Sequence, residues 1–360
     1  MTQARRERWS EADDILAPMP GERGGSRRFA AIAATGSVLP ERVVPNSYFE
    51  TLVDTSDEWI RQRTGIRERH FAADGETTSD LGTAAARTAL DAAGIAPEQV
   101  DLIVVATLSP DTPIPATAVH VQRKLGISAP AFDVNSACAG FSYALSTGRA
   151  MVEAGSADTV LVIGAEVLSR FLDFTDRTVC ILFGDGAGAV VLRPSDAPGV
   201  LGDVLGADGT TTEALVIPAG GSRMPASLET VAAHDHAIRM PRGREVFHRA
   251  VTEMSAACRE LLEKNGFRPD DVDLLVPHQA NARIMSAVAE RLSVRPDAVV
   301  SDVETVGNTS AASIPIALDR AWRAGRVAPG GLVLLTSFGA GLSWGATLVR
   351  WTAQIPPPTR

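Results

Sequence analysis

Three side chains, Cys138, His278 and Asn308, have the types and settings to act together on a carbonyl group. Cys138 lies in Asp133-Val134-Asn135-Ser136-Ala137-Cys138-Ala139-Gly140-Phe141, where a strand-like run gives way to the helical spacing of Phe141, Leu145, Met151 and Val152, which Gly155 ends. This predicts a thiol at a helix N-terminus, where unpaired backbone N–H groups and the positive end of the helix dipole favour the nucleophilic thiolate. The small neighbours Ala137, Ala139 and Gly140 leave room for a carbonyl close to the backbone. His278 follows an apolar run in Val276-Pro277-His278-Gln279-Ala280-Asn281, and Asn308 sits in Gly307-Asn308-Thr309-Ser310-Ala311-Ala312-Ser313. Singly, such a cysteine can be packing, such a histidine a core residue and such an asparagine a helix cap. Together they offer a nucleophile and two neutral donors, which can attack a carbonyl and hold the charge that develops on its oxygen.

The elements that must position these groups alternate between strand and helix. Strands are expected at Ala30 to Gly36, Val100 to Ala106, Ala131 to Val134, Thr159 to Gly164 and Ala187 to Leu192. Helices are expected within Asn46 to Arg63, over Ser79 to Ala93 and over Ala118 to Leu125, with a Pro-rich loop from Ser109 to Pro115. The second half repeats the first. Ala93-Gly94-Ile95-Ala96-Pro97 through Val104 is echoed by Asn265-Gly266-Phe267-Arg268-Pro269 through Val276. Glu153-Ala154-Gly155 is echoed by Arg323-Ala324-Gly325, and Asp185 to Arg193 by Leu342 to Arg350. Ordered echoes at similar separations mark an internal duplication. Two α/β halves with helix-covered, mixed sheets would then face each other with pseudo-twofold symmetry. The echo sets Cys138 against the neighbourhood of Asn308, and puts His278 after the strand that echoes Leu102 to Ala106. Asp208 to Gly243, rich in Gly, Thr, Pro and Ala, is a candidate cover for a substrate tunnel.

Composition excludes several classes. The net charge of −9, without a basic run interleaved with aromatics, argues against a nucleic-acid partner. The three cysteines, Cys138, Cys180 and Cys258, form neither a disulfide framework nor a zinc pattern and fit a reducing cytoplasm. No apolar run approaches the ~20 residues of a membrane span. Residues 1–28 are polar and lack a signal-peptide core, so a disordered extension is expected. Phe183 to Ala189 lacks the full pattern of a nucleotide-binding loop, and His70, His120, His234 and His236 show no ligand spacing, so no metal is expected.

Asp57-Glu58-Trp59-Ile60, Arg63-Thr64-Gly65-Ile66-Arg67-Glu68-Arg69-His70, Thr175-Asp176-Arg177, Phe183 to Ala189 and Phe338-Gly339-Ala340-Gly341 join the three stretches above in one order, from about Phe29 to Trp351. In this the sequence resembles the β-ketoacyl-acyl-carrier-protein synthase III family of thiolase-like condensing enzymes. The resemblance implies a layered α-β-α-β-α thiolase-like fold built from two duplicated halves: 29–200 with the nucleophile, and 201–352 with the histidine and asparagine, followed by a flexible tail at 353–360. It implies that Cys138 accepts an acyl group from acyl-CoA, and that malonyl-acyl carrier protein then loses carbon dioxide and condenses with it. The β-ketoacyl product would start a fatty-acid or polyketide chain, with no separate cofactor. His278 and Asn308 would hold the enolate oxygen, and the backbone N–H groups of Cys138 and Ala340 the acyl-transfer oxyanion. Ala340 interrupts a glycine run common in relatives, which is harmless provided that it need not adopt positive φ. Trp59, Arg63, Arg177 and Asn281 would bind CoA, and Ile114 (reaching in from the partner of a homodimer) and Phe338 would line the primer pocket. Arg283, Arg291, Arg249 and His248 would meet the acidic carrier protein. The alternative is an acyltransferase of this fold that passes the acyl group to a hydroxyl or amine without condensation.

Overall fold

The computed structural model describes residues 28–354. The extension expected over 1–28 lies outside the described residues apart from Arg28, and so does the tail expected over 353–360 apart from Ala353 and Gln354. The strands are β1 (Phe29–Val38), β2 (Arg42–Pro45), β3 (Glu68–Phe71), β4 (Leu102–Ala106), β5 (Ala131–Val134), β6 (Val160–Glu166), β7 (Gly186–Ser195), β8 (Val200–Ala207), β9 (Leu274–Pro277), β10 (Leu332–Gly339) and β11 (Ser343–Arg350).

Two sheets dominate, and one repeats the other. The first runs β1-β7-β6-β4-β5 and the second β8-β11-β10-β9. In each a parallel pair (β4 and β6, or β9 and β10) is followed on the same side by two antiparallel pairings (β6-β7-β1, or β10-β11-β8), and in the first sheet β5 adds parallel to β4. Where β5 would recur, a single parallel bridge joins Leu275 to Val299. The echo extends to side chains. Asp101 accepts the Thr159 N–H at 2.8 Å, and Asp273 accepts the Leu332 N–H at 2.8 Å, each strapping the start of one central strand to its neighbour.

Both faces of the central strands are covered, so they read as continuous apolar runs while alternate residues serve different layers. Along β4, Leu102, Val104 and Ala106 face the space between the sheets, whereas Ile103 and Val105 face outward. Helices Gly140–Glu153 and Ser313–Arg323 fill that space, burying Phe141, Leu145, Ile314, Leu318 and Trp322. Full burial of each such side chain contributes about 1.5–3 kcal/mol. Helices Thr78–Ala93 and Thr117–Leu125 cover the first sheet, and Gly243–Lys264 and Ala282–Leu292 the second, giving five α-β-α-β-α layers. Thr78–Ala93 begins with a reciprocal Thr77 and Asp80 capping box and stops at left-handed Gly94.

Close approach fixes the middle layer. A Cβ on Gly164 of β6 would lie 2.3 Å from the Ala311 carbonyl oxygen, so only glycine lets the turn that carries Asn308 seat on the first sheet. The helices expected within Asn46 to Arg63 are Asn46–Glu50 and Asp57–Thr64, the second capped by Ser56. Residues 208–243 include the 3₁₀ segment Gly209–Ala214, helix Leu228–Ala232 and a bridge from Val216 to Arg239. No helix among the described residues is long and apolar enough to cross a membrane.

Candidate active site

Cys138 sits in the 3₁₀ turn Ala137–Ala139, directly before helix Gly140–Glu153. Ala137 holds φ at +46°, a costly value for a residue with a Cβ, and Asn135 Oδ1 accepts its N–H at 3.2 Å. The end of β10 presses on this turn: a Cβ on Gly339 would lie 2.7 Å from the Cys138 nitrogen. Ala340 follows without positive φ, as its expected role requires.

The thiol is 6% exposed, and burial pushes it up to about 12, with Glu166 adding to the rise and the Ser310 hydroxyl opposing it. Burial thus opposes the preference for thiolate expected from the helix terminus. A helix terminus is worth at most about 2 kcal/mol, less than the desolvation of a charge held between two closed halves.

His278 follows β9, and its N–H donates to the Thr336 carbonyl at 2.7 Å. Burial lowers the imidazole to about 4, so it is neutral across the physiological range. Its Nδ1 lies 2.6 Å from Ser313 Oγ, a hydroxyl that can donate or accept. His278 can therefore present either a lone pair or an N–H at Nε2. Asn308 is held by its own backbone: its N–H donates to Leu182 and its carbonyl accepts from Gly184 at 3.0 Å. Its Oδ1 accepts the Ser310 N–H at 2.9 Å, which leaves Nδ2 as the free donor.

Gln279 ties the two together. Its Nε2 donates to the Pro277 carbonyl (2.7 Å) and the Val300 carbonyl (3.2 Å), and its Oε1 accepts from the Asp302 and Val303 N–H groups. Every hydrogen-bonding position of this buried amide is used, locking the end of β9 to the chain that leads to Asn308. Ser313 and Gln279 were quoted within the motifs but given no role, because a serine and a glutamine beside helix starts signal only caps and turns. Glu166, raised to about 7 chiefly by burial, accepts from Ser109 Oγ at 2.6 Å and orders the loop after β4.

Two cavities meet at Cys138. His278, Asn308, Asn281, Met240 and Phe338 line the first; Leu108, Ile217, Ile238, Asn135 and Ala340 line the second. Phe338 lies on the histidine side, in the wall of the first cavity. Ile114 lines neither cavity of its own chain and is 85% exposed. Asn281, in the wall of the first cavity, joins it to the helix that carries Trp59: its Nδ2 donates to the Arg63 carbonyl at 3.1 Å. The guanidinium carbons of Arg63 and Arg177 lie 5.7 and 5.5 Å from the half-buried Trp59 ring.

Comparison with known proteins agrees along nearly the whole chain. Residues 132–209 match the 3-oxoacyl-[acyl-carrier-protein] synthase III model, and residues 262–351 its C-terminal model. A β-ketoacyl-[acyl-carrier-protein] synthase III of Symbiobacterium thermophilum is 51% identical, covering 90% of this chain and 98% of that protein. The chain belongs to the β-ketoacyl-acyl-carrier-protein synthase III family. The solved synthase III of Pseudomonas aeruginosa superposes with a TM-score of 0.84 at 43% identity, covering 91% of this chain and all of that one. The priming β-ketosynthase of the R1128 polyketide pathway superposes with a TM-score of 0.85 at 40% identity, covering 94% and all of the two chains. The fold is therefore the thiolase-like fold of these condensing enzymes.

The expected carrier-protein face needs one correction within this synthase III frame. Arg283, Arg291 and His248 are exposed, with the Arg283 guanidinium 5.8 Å from the Phe247 ring. Arg249 is instead occupied, pairing with Asp208 at 2.8 Å and Glu253 at 3.1 Å. Arg242, which pairs with Glu245 at 3.7 Å, and Arg244 line one groove with His248 and Arg249.

Proposed function

We propose that the chain is a decarboxylative acyltransferase that starts a fatty-acid or polyketide chain from an acyl-CoA and malonyl-acyl carrier protein. The observation that carries the mechanism is the convergence of a buried thiol, a neutral imidazole and a free amide donor on one cavity. The Cys138 thiol attacks the acyl-CoA carbonyl and passes its proton to His278 Nε2, while Ser313 Oγ accepts from Nδ1. The backbone N–H groups of Cys138 and Ala340 hold the oxyanion, the C–S bond to CoA breaks, and CoA leaves as the thiol with the proton from His278. Malonyl-acyl carrier protein then enters the first cavity. Once the neutral imidazole has exchanged its Nδ1 proton for one on Nε2 through solvent, with the Ser313 hydroxyl turning to donate to Nδ1, His278 Nε2 and Asn308 Nδ2 hydrogen-bond the malonyl thioester oxygen as carbon dioxide departs. Each well-placed donor of this kind is worth about 3–4 kcal/mol. The enolate carbon attacks the Cys138 thioester carbonyl, the C–S bond to Cys138 breaks, and β-ketoacyl-acyl carrier protein leaves while the sulfur takes a proton from solvent to regenerate the thiol.

Trp59 with Arg63 and Arg177 forms the nucleotide platform, with the pantetheine arm passing Asn281. The enzyme works as a cytoplasmic homodimer. The free edge of β5 and exposed Ile114 support this, since a second copy would continue the sheet and cover the isoleucine. Residues 29–200 and 201–352 are the duplicated units, and Arg283, Arg291, Arg242 and Arg244 offer an acidic carrier its dock.

Intact-mass measurement of the protein with a panel of acyl-CoA esters, followed by malonyl-acyl carrier protein, tests this reading. An adduct absent from Cys138→Ala, followed by carbon dioxide release and a β-ketoacyl product, is expected. An adduct that moves to a hydroxyl or amine without carbon dioxide release would overturn condensation.

A further inference from the structure

The two halves contain the same turn, and each copy holds an asparagine. Asn308 Oδ1 accepts the N–H of Ser310, whose φ is +48°; Asn135 Oδ1 accepts the N–H of Ala137, whose φ is +46°. A backbone N–H must meet an oxygen, so both amides are oriented alike, with Oδ1 spent on the turn and Nδ2 left over. Neither Nδ2 has a hydrogen-bond partner among the described residues. Cys138 stands between the two cavities, and the two asparagines serve one each: Asn308 lines the first and Asn135 the second. The rest of the second cavity is nearly all hydrocarbon, with Leu108, Phe183, Ile217 and Ile238 in its wall. Asn135 brings the one side-chain amide among its lining residues.

We propose that Asn135 is a specificity residue of the second cavity, donating from Nδ2 to a neutral oxygen on the acyl group carried by Cys138. The site then selects short acyl chains that bear an ether, keto or hydroxyl oxygen over alkyl chains of the same length. This rests on Cys138 being the acyl carrier. An apolar pocket with a single placed donor sets orientation and choice in this way, because the donor rewards an acceptor and nothing else in the wall does. A carboxylate-bearing acyl group is disfavoured, since no cation lies among the lining residues and an unpaired charge is poorly tolerated against hydrocarbon. Asn135 is solvent-exposed, so the preference is modest, about threefold to tenfold for one neutral hydrogen bond.

The test compares esters that differ only by oxygen for methylene: methoxyacetyl-CoA against butyryl-CoA, and 3-methoxypropionyl-CoA against pentanoyl-CoA. Second-order rate constants for acylation of Cys138 are read by intact mass in the wild type, Asn135→Asp and Asn135→Ala. Intrinsic reactivity cancels when the ether-to-alkyl ratio is compared across variants. The aspartate keeps the turn oxygen and removes the donor, so the ratio for at least one pair is expected to fall by about threefold to tenfold, with a similar fall for alanine. Asn135→Ser, whose hydroxyl can still accept the Ala137 N–H, replaces either variant that does not fold. A ratio unchanged in the variants while Cys138 still acylates would overturn the proposal and leave Asn135 as a turn residue alone. Absence of acylation with every ester would overturn the acyl-carrier reading itself.

Discussion

Cys138 should react as a thiol that loses its proton during attack, and its response to pH separates this from a standing thiolate. Burial holds the group at about 12. A helix-terminal contribution of about 2 kcal/mol equals roughly 1.5 pH units, too little to restore an ordinary thiol. At pH 7.5 a thiol at about 12 is ionised to roughly 3 parts in 100,000, against roughly 3 in 100 for one at the ordinary 9.0. Iodoacetamide, which takes only the thiolate, should therefore label Cys138 roughly a thousandfold more slowly than a free cysteine. Peptide mapping assigns the label, since Cys180 and Cys258 are also raised, to about 11 and about 12. The labelling rate should climb tenfold per pH unit from 6 to 10 without a plateau. Acyl transfer from acyl-CoA should instead be flat over much of that range, because His278, lowered to about 4, is already the free base. In His278→Ala, acyl transfer should drop by about 100-fold to 10,000-fold and take on the slope of the labelling reaction. A labelling plateau between pH 6 and 8, or an acid limb of acyl transfer near the ordinary histidine value, would refute the neutral-pair mechanism.

Other expectations follow from single contacts. Gly339→Ala would drive a Cβ to 2.7 Å from the Cys138 nitrogen, shifting the oxyanion donors; acylation should fall by about 100-fold, measured as the single-turnover burst. Arg283→Glu should raise the apparent KM for malonyl-acyl carrier protein by about tenfold and weaken its salt dependence, whereas Arg249→Gln, on a side chain already paired with Asp208 and Glu253, should stay within about twofold. Ile114→Phe should selectively depress transfer of propionyl and branched acyl groups relative to acetyl, and an unchanged primer profile would remove Ile114 from the pocket. His278 is depressed on folding, so its contribution to stability is present above the ordinary histidine value and is lost as pH falls toward 4, by about 3 kcal/mol; denaturant titrations of wild type and His278→Asn between pH 7 and 4 should differ in slope.

What could be read from the sequence was whatever lies close along it. The strand-to-helix changes around Cys138 and His278 are local patterns, and the duplication is a comparison of two local patterns, so the layered fold and the three central residues were both legible. What escaped depends on distance in the chain. Ser313 reaches His278 across 35 residues, and Arg249 is paired by Asp208 across 41. The burial that opposes the thiolate escaped for the same reason. A helix terminus can be seen in nine residues, whereas the burial that outweighs it exists only once Gly339 and Ser310 of the second half close over Cys138 of the first.

The duplication also explains why one cavity holds a complete set of groups that neither half possesses. Counting from the strand-strapping aspartates, His278 is fifth after Asp273 and its counterpart Ala106 is fifth after Asp101. Counting from the positive-φ turn residues, Cys138 follows Ala137 and its counterpart Ala311 follows Ser310. Each half thus has alanine where the other has its reactive residue, while both keep the asparagine that braces the turn. A second thiol at Ala311 or a second imidazole at Ala106 would add volume to a filled core, where both alanines are buried. The filled core between the sheets therefore favours one nucleophile and one imidazole, while the asparagine, whose Oδ1 accepts the N–H of the positive-φ turn residue, is the element that both halves retain.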